Sequence, residues 1–330
     1  MTDQNTDFFA YVDNFAKING VESVKVFGDE DPSVEYTIAI PTYKRTEYLK
    51  EAIDSALNQD YTFSYNIIVV DNNPERGDGT EMMMDSYKNA KNLSYYKNAE
   101  NIGMGGNWNR LFQLSKTKWV VMLHDDDVLY PFFISRCDEL VKKLGEDVGI
   151  IKPKEDHEYK PHEKEKGDLK RLYDLDFYYG NSYGTPSGML FYRDKVIESG
   201  GYNQDFYPTL DYCFHVRFAS TYSFYFYTEP LMYYRIGVNE SIKPSVQKQW
   251  LIDASYLIRQ LLKRYHVPSY IADGFVARRT MRCHQELQRR WKTKFSLELD
   301  EIGLRQVSVI KGILCHEVII LLKSFIKHKV

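Results

Sequence analysis

Residues 36–70 read YTIAIPTYKRTEYLKEAIDSALNQDYTFSYNIIVV, and this stretch decides the fold class. Tyr36–Ile40 is rich in β-forming residues and is ended by Pro41, while Asn66–Val70 is a second, fully apolar run. Between them we expect a helix capped by Thr46, because apolar residues then recur at helical spacing: Leu49, Ala52, Ile53, Ala56 and Leu57. A strand that is apolar along its whole length suits a sheet covered by helices on both faces. The stretch therefore predicts one strand–helix–strand unit of a parallel α/β sheet.

The same alternation continues further along the chain. Leu93–Lys97 and Trp119–Leu123 are predicted strands, and Trp108–Leu114 is the predicted helix between them. Connections of this kind are right-handed and place successive strands parallel to one another. From about residue 245 onward, helical periodicity dominates. We therefore expect an α/β domain followed by a helical C-terminal region.

Two segments outside this alternation are predicted to be accessory. Residues 1–35 form a polar, acidic arm in which Phe8, Val12 and Phe15 predict a short amphipathic helix. Residues 152–171 carry thirteen charged side chains in twenty positions. Such a density of charge predicts an exposed loop.

The composition is that of a globular protein with about two domains, since a domain averages roughly 150 residues. The 330 residues are 43% apolar, which suffices for a large core, and their net charge is −3. These values exclude a disordered chain. The four cysteines form no C-x-x-C pair, which argues against a zinc ribbon or a redox motif. No run of 18 apolar residues and no basic, apolar leader occurs, so we expect neither a membrane span nor a signal peptide.

Charge is distributed unevenly along the chain. Residues 245–330 hold sixteen Lys and Arg against seven Asp and Glu, whereas residues 1–244 hold 27 against 39. The basic C-terminal region would therefore meet either an anionic partner or the acidic remainder of its own chain. Nucleic acid is not the expected partner, because these basic residues are interspersed among helical core positions and the whole chain is acidic.

Three polar clusters follow predicted strands, and this is where ligands bind in an open parallel sheet. They are Pro41-Thr42-Tyr43, Asp71-Asn72-Asn73 and His124-Asp125-Asp126-Asp127. Three adjacent carboxylates repel one another, and an oxygen-rich site of this kind suits Mg²⁺ or Mn²⁺ shared with substrate phosphates. The alternative is an acidic turn that stabilises a following helix. The D-x-D-x-D-G spacing of a calcium-binding hand is absent.

Several segments, in this order and spacing, resemble family 2 inverting glycosyltransferases of the GT-A fold. They are IPTYKRTEYLKEAIDSALNQDY, IIVVDNN followed by GDGT, NIGMGGNWN, WVVMLHDDDVLYP, SGMLFYRD, and ESGGYNQDFYPTLDY. The resemblance runs from about Tyr36 to Phe218 and implies a Rossmann-like, mostly parallel sheet flanked by helices. It also implies a glycosyltransferase domain over 36–244, divided into a donor half (36–130) and an acceptor half (131–244). Residues 245–330 would then be a basic helical extension.

The resemblance implies a binding site for a nucleotide sugar and a divalent ion. Base and ribose would be held by Pro41, Thr42 and Tyr43, with Asp71 or its neighbour Asn72 bonded to the base. The other donor-binding residues implied are Asn101, Gly103, Asn107, Asp125 and Asp126. Asp126 would be the principal ligand of Mn²⁺ or Mg²⁺, joined by Asp127. His124 stands where the family more often has an Asp, and we expect it to be a structural or supporting residue rather than a ligand of the ion.

The resemblance also implies one general base, Asp211 in YPTLDYCFHVR. An inverting transfer needs a single base to remove the proton of the attacking hydroxyl. Leu210 replaces the first acid of the family's usual pair, so Asp211 would act alone, with Asp205 as a weaker rival. Its alternative interpretation is an acid that stabilises a helix N-terminus. Arg235 is expected either to neutralise phosphate charge or to be structural.

Together these features predict a metal-dependent inverting glycosyltransferase. It would transfer a sugar from a nucleotide sugar, a UDP-sugar by preference, to a hydroxyl of a saccharide or lipid-linked saccharide in surface polysaccharide or glycolipid assembly. The expected location is the cytoplasm, with peripheral contact at the inner face of the cell membrane through the C-terminal region. The sequence leaves two alternatives open. One is a nucleotidyltransferase, although the first loop lacks the glycines that it needs, and the other is a non-catalytic protein that keeps the fold.

Overall fold

The computed structural model describes residues 5–160, 166–237, 240–304 and 308–327. Their strands form one ten-stranded sheet in the order β1-β4-β3-β2-β5-β9-β7-β10-β6, with β8 paired to β10. The strands are β1 (Ser23–Phe27), β2 (Tyr36–Thr42), β3 (Asn66–Asp71), β4 (Leu93–Asn98), β5 (Trp119–Met122), β6 (Val128–Leu129), β7 (Ile150–Asp156), β8 (Leu169–Leu172), β9 (Met189–Tyr192) and β10 (Phe224–Tyr233).

Six of these strands run in one direction, namely β2, β3, β4, β5, β7 and β10. Four of them, β4-β3-β2-β5, are adjacent and form a purely parallel block. The four strands predicted from the sequence are this block, and their ends differ from the prediction by one or two residues. The predicted α/β fold with a mostly parallel sheet flanked by helices is therefore confirmed.

Helices cover both faces of the sheet. They are α1 (Leu49–Leu57), α2 (Gly79–Met84), α3 (Gly103–Leu114), α4 (Phe133–Leu144), α5 (Arg193–Glu198), α6 (Leu210–Ala219), α7 (Pro244–Arg264), α8 (Ser269–Trp291) and α9 (Val309–Lys327). On β3, Ile67 and Val69 belong to one buried cluster and Ile68 and Val70 to the other, because successive side chains point to opposite faces. This explains why the strand is apolar throughout.

The C-terminal region is helical, as predicted, and it packs on the α/β domain. Leu251 and Ile258 of α7 and Phe275 of α8 lie in the same buried cluster as Ala39 of β2 and Phe214 of α6. The hydrophobic core is therefore continuous across residue 245. None of the described helices is both long enough and apolar enough to cross a membrane.

Two local predictions near the N-terminus are wrong. Instead of an amphipathic helix, the arm has an irregular course with one short 3₁₀ helix, Ala16–Ile18, and then the edge strand β1. Asp13 competes with a helix there, because its carboxylate accepts hydrogen bonds from the backbone N–H groups of Phe15 and Ala16. Thr46 does not cap α1 either, since that helix begins three residues later at Leu49 and has no side-chain cap.

The charge-rich stretch 152–171 is not simply an exposed loop. Its beginning belongs to β7 and its end to β8, while residues 161–165 lie outside the described residues. Lys152 is buried, and its ammonium group donates to Glu155 at 2.7 Å and to the carbonyl of Ser187 at 2.9 Å. The density of charged residues did not predict this burial, because an ammonium group whose hydrogen bonds are all satisfied can be buried.

Candidate active site

The polar ends of the parallel strands meet at one edge of the sheet. Thr42 lies beside Asp71 in the β2–β3 pairing, and the HDDD sequence follows β5 on the other side of β2. They open into a cavity of about 570 Å³. Ten of the predicted site residues line it: Pro41, Thr42, Tyr43, Asn72, Asn101, Gly103, Asn107, Asp125, Asp126 and Asp211.

The three consecutive carboxylates are each held by a different partner. The hydroxyl of Thr42 donates to Asp125 at 2.8 Å, and the guanidinium of Arg45 lies 2.7 Å from Asp126. Asp127, below the cavity wall, accepts a hydrogen bond at 3.0 Å from the backbone N–H of Arg235. Sequence reasoning did not select Arg45, although it follows the first strand end directly.

Burial shifts the protonation of this cluster. It raises the pKa of Asp125 to about 6 and that of Asp127 to about 8, and in both cases the charge of Asp126 raises it further. Burial also lowers the pKa of His124 to about 4, so the imidazole is neutral at neutral pH. A neutral imidazole has a lone pair available for a metal ion.

The residues of this cluster fit a divalent cation. His124, Asp126 and Asp127 each offer a ligand atom, and these atoms lie within 4.8 Å of one another. Nε2 of His124 and Oδ2 of Asp127 are buried and have no hydrogen-bond partner among the described residues. Two ligands bonded to Mg²⁺ at about 2.1 Å lie at most roughly 4.2 Å apart, so separations of this order are compatible with a shared ion. The imidazole of His124, which was not expected to be a ligand, thus lies among the acids in a position to be one.

Of the alternative pair Asp71 and Asn72, only Asn72 reaches the cavity. Asp71 is fully buried, and it accepts hydrogen bonds from Lys97 at 2.8 Å and Tyr95 at 2.9 Å. It is therefore part of a buried ion pair below the site. The amide of Asn72 donates to Asn101 at 2.9 Å, and its oxygen accepts from the backbone N–H of Ile102 at 3.0 Å.

The glycine-rich turn at the start of α3 leaves room for the side chain of Gln204, which was not among the predicted site residues. Gly103 has a positive φ of 76°, and a Cβ there would lie 2.8 Å from the side chain of Gln204. That same side chain accepts a hydrogen bond of 2.6 Å from the N–H of Gly105. Asn107, by contrast, supports the sheet edge by donating to the carbonyl of Val70 at 3.1 Å.

The same cavity is also lined by Asp211, in the first turn of α6. The amide of Asn181 donates to its Oδ2 at 2.9 Å, and the oxygen of that amide faces Nδ1 of His215 at 3.2 Å. Burial lowers the pKa of His215 to about 3, so its neutral ring donates the Nδ1 proton to Asn181. Burial raises the pKa of Asp211 to about 6, against the opposing effects of the backbone N–H of Tyr212 and the amide of Asn181.

The remaining candidates lie outside the cavity wall. Asp205, the rival base, is exposed and forms an ion pair of 2.6 Å with Lys17. Arg235 braces the acidic turn, because its Nε donates to the carbonyl of Asp126 at 3.0 Å and its guanidinium pairs with Glu51 at 2.7 Å. Of its two expected roles, the structural one matches these contacts.

Comparisons with known proteins identify the family of this chain. The profile described as Glycosyl transferase family 2 matches residues 37–201, half of the chain. An uncharacterized glycosyltransferase of Methanocaldococcus jannaschii is 24% identical over 65% of this chain and 75% of its own length. An uncharacterized glycosyltransferase of Rickettsia bellii is 34% identical over 35% of this chain, and the match covers 16% of that protein. The abequosyltransferase RfbV of Salmonella typhimurium is 33% identical over 28% of each chain.

Solved structures share the fold at low sequence identity. TarS of S. aureus, in complex with UDP-GlcNAc, superimposes with a TM-score of 0.59 at 15% identity over 88% of this chain and 81% of that one. The mannosyltransferase PcManGT of Pyrobaculum calidifontis, in complex with GDP-Man and Mn²⁺, superimposes with a TM-score of 0.50 at 15% identity, over 83% and 80% of the two chains. The predicted GT-A fold is thereby confirmed. The chain belongs to glycosyl transferase family 2 and is a glycosyltransferase.

Proposed function

We propose that this glycosyltransferase is metal-dependent and inverting, and that it transfers one sugar from a UDP-sugar to a hydroxyl of a saccharide or lipid-linked saccharide. The observation that carries the proposal is one cavity that is lined both by the acidic residues Asp125 and Asp126 and by a separate carboxylate, Asp211. UDP is chosen because TarS, which shares the fold, is in complex with UDP-GlcNAc. The Mn²⁺ and GDP-Man of PcManGT make GDP-sugars the first competitor.

On this proposal the donor half (36–130) binds the nucleotide. Pro41, Thr42 and Tyr43 contact base and ribose, and Asn72 shapes the base pocket. The acidic cluster of Asp126 and Asp127, with His124 beside them, would hold the ion. Bound Mn²⁺ or Mg²⁺ would supply positive charge against the charge that develops on the leaving diphosphate.

The acceptor half (131–244) would supply the base. A general base must be ionised to accept a proton, and Asp211, with a pKa of about 6, is largely ionised at neutral pH. The other acids that line the cavity already have partners: Asp125 accepts a hydrogen bond from Thr42, and Asp126 accepts one from Arg45. With Asp211 as the base and no second carboxylate assigned as a nucleophile, the sugar would be transferred in a single displacement. Such a displacement inverts the anomeric centre.

Thermal unfolding with nucleotides tests the donor and metal parts of the proposal. UDP, GDP, dTDP and CMP would each be added with and without Mn²⁺. We expect UDP to raise the melting temperature by several degrees only when Mn²⁺ is present, and Asp126→Ala to abolish this rise. A rise with GDP instead would correct the donor class. A rise that does not need Mn²⁺ would refute metal dependence.

Donor turnover tests the base. Release of UDP from a UDP-sugar, with Mn²⁺ and water as the acceptor, should fall about a hundredfold or more in Asp211→Asn, as is usual when a general base is lost. Asp205→Asn is the matched control, because this exposed acid lies outside the cavity and should leave turnover unchanged. Equal losses in both variants would refute the assignment of Asp211.

A further inference from the structure

The C-terminal helix α9 has one face that is fully partnered. Cys315 and Ile319 are buried against the rest of the protein. The ring of His316 stacks on Phe275 of α8 at 5.7 Å, and Lys323 pairs with Asp176 at 3.1 Å. These contacts fix the orientation of α9 on the fold, and therefore determine which of its residues face outward.

The outward face of α9 is apolar. Ile310, Leu314 and Leu321 are 73%, 62% and 59% exposed, and Ile313 and Ile320 are each 39% exposed. Positions 310, 313, 314, 320 and 321 follow helical spacing, so these side chains form one stripe. Single exposed apolar residues are common on protein surfaces, whereas five exposed aliphatic side chains on one helix face, with only Glu317 among them, mark an interaction surface.

Cations without acidic partners flank the start of this stripe. Lys311 is exposed on α9 itself, and Gly312, next to it, packs against the side chain of Arg278. Arg282 follows Arg278 by one turn of α8 and is also exposed. Within the described residues, neither Lys311 nor Arg282 forms an ion pair. Glu317 is the only acid within the stripe.

We propose that this apolar stripe and its cationic flank dock the protein on an anionic lipid surface, with α9 lying in the plane of the bilayer interface. Apolar side chains would enter the acyl boundary while Lys311 and Arg282 contact the headgroups. The helix is not apolar enough to cross the bilayer, which agrees with a position along the surface.

A second copy of the chain fits this surface less well. A stable protein interface engages roughly 20–30 residues on each side, whereas the stripe has five apolar side chains. Anionic headgroups instead complement the flank, and each Lys or Arg near such a surface favours binding by about fivefold.

The position of α9 relates this surface to the acceptor side of the molecule. Lys323 and His316 contact Asp176 and Tyr179, and the same segment continues to Asn181, the residue bonded to Asp211. The helix that would contact the bilayer therefore packs on the same segment that bonds the proposed base. This arrangement suits an acceptor carried by a lipid, and that link alone rests on the proposed function.

Vesicle flotation of the full chain tests the proposal without any nucleotide, so its result does not depend on the proposed function. We expect the protein to float with vesicles containing about one third phosphatidylglycerol, and far less with phosphatidylcholine alone. Leu314→Ser combined with Leu321→Ser should weaken binding at least about tenfold, because both leucines lose their insertion. Lys311→Glu with Arg282→Glu should abolish the preference for anionic vesicles.

Met82→Ser is the matched control, since Met82 is equally exposed on α2, away from this surface, and should float like the unchanged protein. All substituted residues are exposed, and unchanged melting temperatures would verify the fold. No flotation with anionic vesicles, or equal flotation of the double leucine variant, would overturn the proposal. It would also fail if the unchanged protein forms dimers that this variant abolishes, because the stripe would then belong to a second copy.

Discussion

Asn181→Ala should shift the pH dependence of donor turnover to higher pH. The amide of Asn181 donates to Asp211 at 2.9 Å and so favours the ionised carboxylate. The cavity wall already raises the pKa of Asp211 to about 6. Removing a hydrogen bond that stabilises the charged form must raise the pKa further. Because the base must be ionised to act, the decline of activity toward acidic pH should begin at a higher pH in the variant.

The expected size of this shift follows from the strength of one bond. A hydrogen bond to a charged group contributes about 1.5–3 kcal/mol, and about 1.4 kcal/mol corresponds to one pKa unit. The pKa of Asp211 should therefore rise by about one to two units, to roughly 7–8. At pH 7 the ionised fraction would fall from about 90% to about 50% or 10%, and at pH 9 most activity would return. The titratable neighbours Tyr202, Cys213 and Tyr234 stay neutral over this range, because burial raises the pKa of each.

The assay is nucleotide release from the donor between pH 5 and pH 9, with saturating Mn²⁺ in every sample so that the acidic cluster behaves alike in both proteins. Asn92→Ala is the matched control, because it loses a single hydrogen bond, 3.3 Å to the carbonyl of Tyr65, outside the cavity. Superimposable profiles for Asn181→Ala and the unchanged protein would refute the reasoning. A uniform loss of activity at every pH would show that Asn181 is merely structural.

Two further predictions concern stability. Lys97→Met should lower the free energy of unfolding in urea by about 3–5 kcal/mol, because it leaves the fully buried Asp71 without its cation; a loss below about 1 kcal/mol would contradict this. Gly200→Ala should lower the melting temperature by several degrees, because its Cβ would lie 2.2 Å from the carbonyl of Val12 in the N-terminal arm. Gly77→Ala, which has a similar positive φ of 69° but open space around it, is the control and should cost less. Equal costs would mean that backbone strain alone, and not the packed arm, is responsible.

Much of the site was accessible from the sequence because strand ends are local features. Alternation of apolar runs and helical periodicity predicted β2 to β5, and the carboxyl ends of parallel strands necessarily share one edge. That is why Thr42, Asn72 and Asp126 line one cavity. The arm was predicted less well, since a helical spacing of Phe8, Val12 and Phe15 does not form a helix when side chains compete for the backbone.

Pairing between distant segments could not be read from the sequence. Arg45 reaches Asp126 across 81 residues, and Asn181 reaches Asp211 across 30. Asp71 and Asn72 are neighbours in sequence, but β3 directs Asp71 toward the ion pair with Lys97 and only Asn72 lines the cavity. Which of two adjacent polar residues faces a ligand depends on the pleat of the strand and on what lies across it.

The sequence by itself determined the fold class, the strand ends that carry polar residues and the family to which the chain belongs, because each depends on short-range pattern and spacing. Only the tertiary structure decided which carboxylates are buried or held, that His124 lies among the acids, and that α9 presents an apolar face. Burial, electrostatic shifts of pKa and side-chain pairing are properties of neighbours in space. Those neighbours exist only once the strands and helices have packed.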